Sequence, residues 1–345
     1  MADPYGLKRV LRPEGALPQR AAVLSTELPI REDELLIDVD HLNIDAASFR
    51  QIEKQEEHDV RRIALAIEEI VKLHGKMHNQ ITGSGGMLIG RVREIGPAHP
   101  ARQDLVVGDR IATLVSLTLT PLKITRLIGL DQKIDRVDVE GHAILFATGL
   151  YAKLPGDLSD TLSLAALDVC GAPALARRHT RPGMTVLVIG AGKSGAFCCI
   201  QAKRQGAKQV IAFDISQASV ERLKKDGLCD TALSGDATRP VEVMQAVAEV
   251  TGGALCELVI NCASVGNTEM ASILSCAEGG TVLFFSMATS FTAAALGAEG
   301  AGKDVTLLVG NGYAKGHAAL TLQLLRDEPK LRALFDERFT RAPGG

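Results

Sequence analysis

The chain has no tryptophan, and aromatic residues make up only 3% of its 345 positions. Its core must therefore be built from aliphatic side chains. No C-x-x-C occurs among its seven cysteines, which are odd in number and scattered. That argues against a disulfide framework and predicts free thiols in a reducing compartment. No apolar run reaches membrane-spanning length, and the first residues lack the apolar segment of a secretory signal. A cytoplasmic protein without a membrane partner is expected. There is no excess of positive charge either. The formal net charge is −3, which speaks against a nucleic-acid partner. Internal repeats and low-complexity tracts are also missing. What remains is an ordinary globular composition, 46% apolar and 23% charged, long enough for two domains.

Against this plain background one stretch stands out, Met184 to Gly195, reading MTVLVIGAGKSG. Thr185 to Ile189 is a short apolar run rich in β-branched residues, which predicts a strand buried on both faces. Gly190, Gly192 and Gly195 follow in G-x-G-x-x-G spacing, and Ala196 to Arg204 predicts a helix. Strand, glycine turn and helix in that order are the context of a dinucleotide site. Gly190 turns the chain off the strand, Gly192 lets a pyrophosphate approach the backbone, and Gly195 lets the helix pack closely. Ala191, Lys193 and Ser194 complete the turn, and the helix start offers free N–H groups to phosphate. The letters G-K-S suggest a phosphate-binding loop of the G-x-x-x-x-G-K-[ST] kind, but that pattern needs glycine where Leu187 stands. A glycine turn without a ligand is the bland alternative. A second strand, Gln209 to Phe213, counts against it, because it ends at Asp214, 24 positions past Gly190. An acid there accepts the ribose hydroxyls of NAD and repels a 2′-phosphate, and no Arg or Lys follows until Arg222. NAD is the expected cofactor.

From residue 185 onward, strands and helices alternate, which predicts a parallel, doubly wound sheet. Strands are expected at 185–189, 209–213, 257–262, 280–285 and 304–309, with helices at 196–204, 217–226, 239–250 and 267–277. Returning helices are expected at 315–335. Residues 1–154 lack this alternation and are strand-rich, with a strand at 34–42 and another at 87–95. One charged amphipathic helix is predicted over 50–74, with Ile63, Leu65, Ile67, Ile70, Val71 and Leu73 on its apolar side, and one helix over 162–177.

This order of parts resembles the medium-chain dehydrogenase/reductase superfamily. Leu105 to Ala112 (LVVGDRIA) is similar to that superfamily's V-G-D-R-V-A turn. The resemblance narrows to the L-erythro-3,5-diaminohexanoate dehydrogenase family. It rests on Leu42 to Phe49 (LNIDAASF), Gly75 to Asn79 (GKMHN), Thr82 to Gly90 (TGSGGMLIG), Phe284 to Phe291 (FFSMATSF) and Val309 to Tyr313 (VGNGY). It implies an α/β protein: a Rossmann-type doubly wound parallel sheet, residues 155–312, beside a β-rich GroES-like catalytic domain. That domain would comprise residues 1–154 and about 313–345. It also implies NAD-dependent oxidative deamination of a 3,5-diamino acid in anaerobic lysine fermentation, by a homodimer formed through the edge strand 304–309. No zinc is expected. Where zinc-dependent relatives carry Cys and G-H-E, this chain has Ile44 or Asp45 and Gly85-Gly86-Met87, and the four-cysteine lobe is missing.

The implied substrate has two ammonium groups and a carboxylate, so the site needs a base, a proton shuttle and counter-charges. It is expected beside the carboxyl ends of the parallel strands. Asp45, Ser48 and His78 are the candidates for proton handling. Each has a plainer reading, as a turn cap, a helix-start hydroxyl and a satisfied loop histidine. Lys76 is a candidate for the carboxylate, or else a surface lysine. Asn79 and Ser84 are candidate substrate contacts. Asp168 in an apolar helix would need a partner, either a substrate ammonium or a salt bridge. Cys170 reads as core. Glu299 is a candidate for the distal ammonium, while Ser264, Ser286 and Asn311 should border the cofactor. Two other functions stay open: a zinc-free quinone or enoyl reductase using NADPH, and a non-catalytic nucleotide sensor.

Overall fold

The structure, a computed structural model, describes residues 2–310 and 312–339. The chain forms two compact units, Met1–Gly156 and Asp157–Gly345.

The first unit carries a small antiparallel pair, β1 (Val10–Arg12) and β2 (Val23–Leu24), and one six-stranded antiparallel sheet. Its strands are β3 (Glu34–Asn43), β4 (Met87–Ile95), β5 (Arg110–Thr113), β6 (Leu122–Asp131), β7 (Arg136–Phe146) and β8 (Tyr151–Lys153). They lie in the order β6-β7-β3-β4-β5-β8. β3 sits centrally and is buried along most of its length. Ahead of it, Arg9 and Glu34 form a buried bidentate pair, Nε to Oε1 at 2.8 Å and Nη2 to Oε2 at 2.6 Å. This pins the N-terminal segment to the sheet.

After β3 come α1 (Ala46–Gln55) and α2 (Val60–His74). A single helix over 50–74 was expected, and the chain breaks it in two. Glu57 and His58 adopt left-handed backbone angles, φ 53° and 61°, and Asp59 then caps α2 by accepting the N–H groups of Arg61 and Arg62. Within α2, positions four apart share a face and positions two apart do not. Ile63, Ile67 and Val71 enter the core, whereas Leu65 and Leu73, assigned to the same face, are 63% and 59% exposed. α2 ends at Gly75, φ 62°, where a Cβ would lie 2.0 Å from the Leu24 carbonyl oxygen. β6 and β7 were not foreseen. Bulges shift their mutual register between Ile124 and Arg126 and again between Leu127 and Gly129, so period-two alternation is lost in the sequence.

The second unit opens with α3 (Asp160–Leu167) and α4 (Gly171–His179), where one helix was expected. Then follow β9 (Thr185–Ile189), α5 (Lys193–Arg204), β10 (Gln209–Asp214), α6 (Gln217–Lys225), β11 (Thr231–Ser234), α7 (Pro240–Thr251) and β12 (Cys256–Asn261). The unit closes with α8 (Glu269–Leu274), β13 (Cys276–Phe284), α9 (Phe291–Gly300), β14 (Thr306–Val309), α10 (His317–Asp327) and α11 (Pro329–Phe339). All six strands are parallel, in the order β11-β10-β9-β12-β13-β14. This is the doubly wound sheet expected. Strand order reverses between β9 and β12, the place where such sheets take ligands.

The C-terminal helices depart from expectation. Residues 313–345 were assigned to the first domain, but α10 packs on α3 and α4, and α11 on α3 and α5, within the second unit. Their apolar residues explain this. Leu322, Leu324, Leu325, Leu331 and Phe335 are buried, and the Phe335 ring lies 4.8 Å from that of Phe197 in α5. Each unit has a core of its own, one from Leu35 to Leu145 and the other from Leu187 to Ala298.

Candidate functional site

The second unit presents the glycine turn. Gly190 follows β9 with φ 98°, a backbone angle that favours glycine. A Cβ on Gly195 would fall 1.7 Å from the Gly190 carbonyl oxygen, so turn and helix are in direct contact. A Cβ on Gly192 would meet nothing within 4 Å. The space over that residue is open, as a pyrophosphate requires. α5 starts at Lys193 without a side-chain cap, which leaves its first N–H groups for an anion. Ser194 lies half-buried in this first turn.

Asp214 closes the turn from the β10 side. Its Oδ2 accepts the Ala191 N–H at 2.7 Å, and its Oδ1 accepts the Ser216 N–H at 2.8 Å. Each carboxylate oxygen keeps acceptor capacity for a ribose hydroxyl. Ser264 is exposed just past β12, and Ser286 half-buried just past β13. Both stand at the carboxyl edge of the sheet that holds the turn. Asn311 lies outside the described residues. Sequence reasoning missed Asn261. It is fully buried at the end of β12, donates to Thr268 Oγ1 and Ser272 Oγ at 2.9 Å, and accepts from Ala263 N–H at 3.1 Å. An amide at a strand end, ahead of a polar loop, was the available signal. Glycine turn, uncapped helix start and acid together fit a nicotinamide dinucleotide.

Asp168 is neither buried nor unpaired. It caps the end of α3, is 53% exposed at its side chain, and pairs with Lys193 Nζ at 2.5 Å. Of the two partners foreseen, the salt bridge is the one realised. Cys170 is core, and burial pushes its thiol up to about 12. Glu299 is exposed on the last turn of α9.

The first unit brings a different group together. Asp45 ends the turn after β3 and caps α1, its Oδ1 accepting the Ser48 N–H at 3.0 Å. Its Oδ2 accepts the Ser84 hydroxyl at 2.7 Å. Ser84 Oγ lies 2.9 Å from Ser48 Oγ, which lies 2.5 Å from Thr82 Oγ1. Three hydroxyls thus run on from one half-buried carboxylate, with Ser48 fully buried. Thr82 was not singled out from the sequence. Its signal was the hydroxyl pair flanking Gly83, whose φ of 73° folds the loop so that both face one way.

Two neighbours are placed otherwise than expected. Lys76, a candidate for the substrate carboxylate, is fully buried, and its Nζ donates to the carbonyl oxygens of Pro18 at 2.9 Å and Gln19 at 3.2 Å. Burial lowers its pKa to about 8. Asn79, a candidate substrate contact, is spent on the loop. Its amide donates to Gln51 Oε1 and the Ser48 carbonyl, and its oxygen accepts from Ile81 and Thr82 N–H. His78 remains available. Its Nδ1 is buried without a hydrogen-bond partner. Burial first, then the charges of Lys76 and His74, lowers its pKa, so the ring is neutral near pH 7. Among the described residues no group of three or more His, Cys, Asp or Glu stands together to hold a metal ion. Among the described residues, no helix is long and apolar enough to cross a membrane.

Comparison with known proteins agrees with this architecture. The family profile of the L-erythro-3,5-diaminohexanoate dehydrogenase N-terminal domain matches residues 8–155. The L-erythro-3,5-diaminohexanoate dehydrogenase of Acetoanaerobium sticklandii is 51% identical over 338 residues, 97% of this chain and 98% of that protein. The enzyme of the same name from Fusobacterium nucleatum is 49% identical over 339 residues, 96% and 97% of the two chains. Among solved structures, a mycobacterial quinone oxidoreductase aligns with a TM-score of 0.58 over 93% of each chain, at 20% identity, a likeness of fold. The chain is an oxidoreductase with the medium-chain dehydrogenase fold, and it belongs to the L-erythro-3,5-diaminohexanoate dehydrogenase family.

Proposed function

We propose that the protein catalyses the NAD-dependent oxidative deamination of (3S,5S)-3,5-diaminohexanoate to 5-amino-3-oxohexanoate, in lysine fermentation. The relatives that carry the substrate's name support its identity. One observation supports the chemistry: the chain of hydrogen bonds from Asp45 through Ser84 and Ser48 to Thr82. In the balanced reaction the C3 ammonium loses a proton, C3–H leaves with its electron pair, and water replaces nitrogen. The products are a ketone, ammonium, reduced coenzyme and one proton. NAD supplies the acceptor for the electron pair that leaves C3.

The chain's own residues hold the parts and move the protons. N–H groups at Gly192 to Gly195 cradle the pyrophosphate, and Asp214 grips the adenosine ribose, which favours NAD over NADP. Ser264 and Ser286 border the cofactor. Asp45 faces the C3 ammonium and draws its proton, and Ser84, Ser48 and Thr82 relay protons onward. His78, neutral and with a free ring nitrogen, takes the proton of the attacking water. Lys76 and Asn79 hold the loop that carries these groups. The nitrogen lone pair assists departure from C3, so this chemistry needs no Lewis acid. We read the protein as a cytoplasmic homodimer. β14 is an edge strand with Val309 59% exposed, suited to pairing across a two-fold axis.

The test is coenzyme reduction with the diamino acid as donor, followed across pH. Wild-type protein should reduce NAD, and His78→Gln should lose the acidic limb of the profile, where protonation of the ring silences a base. Absence of reduction, with enone or quinone turnover in its place, would move the protein to the reductase reading. The quinone oxidoreductase likeness, being of fold alone, gives that reading no further support.

A further inference from the structure

A cavity of about 530 Å³ opens beside the glycine turn. Ala191 of the turn lines it, with Ala218, Ser219 and Arg222 of α6 and Glu337 and Arg338 of α11. Ala191 is the residue whose N–H binds Asp214, and α6 begins three positions past that acid. The cavity therefore adjoins both the residue that Asp214 binds and the helix that follows this acid. Arg222 is the first cation after Asp214 in the chain. A guanidinium there is the group that would receive a 2′-phosphate.

It is already engaged. Arg222 Nη1 and Nη2 donate to the two oxygens of Glu337, at 3.0 and 3.3 Å, and its Nε donates to Asp226. One guanidinium faces two carboxylates. Glu337 reaches it from α11, more than a hundred residues further along the chain. An incoming 2′-phosphate would have to break a bidentate pair and meet the Glu337 charge as well.

We propose that Glu337 is a determinant of coenzyme choice: by clamping Arg222 against α11 it closes the 2′ end of the adenosine site to NADP. The inference rests on the reading that Asp214 holds the adenosine ribose. It adds a second acid, from a different element, that acts on the cation and not on the sugar.

The experiment uses full-length Glu337→Gln and Glu337→Ala. Two quantities are read: kcat/KM for NADP against NAD with the diamino acid, and binding of NADPH and NADH by nicotinamide fluorescence, which no tryptophan obscures. The expected result is a rise of roughly tenfold in the NADP-to-NAD ratio, carried by the KM for NADP, with kcat and the KM for NAD unchanged. Adding Arg222→Ala should cancel the gain, and adding Arg338→Ala should leave it. A merely structural role would weaken both coenzymes alike. An unchanged ratio in both variants overturns the proposal, as does a gain that survives Arg222→Ala or depends on Arg338. Wild-type protein that bound neither coenzyme would instead overturn the nucleotide reading beneath it.

Discussion

The Nζ of Lys76 lies 2.9 Å from the carbonyl oxygen of Pro18, and its charge is held by carbonyl dipoles in a fully buried position. Its folded pKa falls to about 8 from the ordinary 10.5. Between those values the unfolded chain binds a proton that the folded chain lacks, so this group makes stability rise with pH. Below about 8 both states are protonated and the slope vanishes. Denaturant midpoints of wild type and Lys76→Met, compared between about pH 7 and 10, should show the wild type gaining on the variant above pH 8. Parallel curves would mean that the amine titrates normally.

The glycines of the nucleotide turn should separate stability from binding. Gly195→Ala places a methyl 1.7 Å from the Gly190 carbonyl oxygen, so the helix must shift and the melting temperature should fall. Gly192→Ala places a methyl in open space. That variant should melt like the wild type yet bind NADH at least tenfold more weakly, a loss of about 1.4 kcal/mol, because the methyl occupies the pyrophosphate's approach. Calorimetric titration checks both. Unchanged affinity in Gly192→Ala would place the phosphates elsewhere.

Asp45 has two tasks that one substitution can divide. Asparagine is as good a helix cap as aspartate, so Asp45→Asn should keep α1 and the melting temperature. It removes the proposed base, and kcat should drop about a hundredfold or more. Ser84→Ala keeps the carboxylate but cuts its link to Ser48, and a similar loss of kcat with little change in KM is expected. If Ser84→Ala were as active as the wild type, the hydroxyl chain would be no more than loop structure.

How far these features were legible in the sequence depends on the range of the interactions behind them. The glycine turn and Asp214 could be read because the turn is local and its backbone angles admit few residues. Free thiols were also expected, and all seven cysteines are unpaired. Asp45, Ser48 and Ser84 could be proposed singly, but their contact depends on a loop returning to β3 over 36 residues, from Ser48 to Ser84. Lys76 and Asn79 misled for the same reason. A polar residue in a polar loop looks exposed until the element that covers it is known, and here Pro18 and Gln19 come from the far N-terminal segment. The C-terminal helices were visible as helices, but the side they cover was not, since that is decided by the contact of Phe335 with Phe197.

Two separate apolar cores also bear on how this protein is measured and altered. A molecule with its oily interior in two parcels has no guarantee of melting in one step, so a lone unfolding temperature would average two different events. Coenzyme should protect only the parcel it touches. A hardier variant could then be sought by mutating one parcel, leaving the loop that joins Asp45, Ser48 and Ser84 untouched.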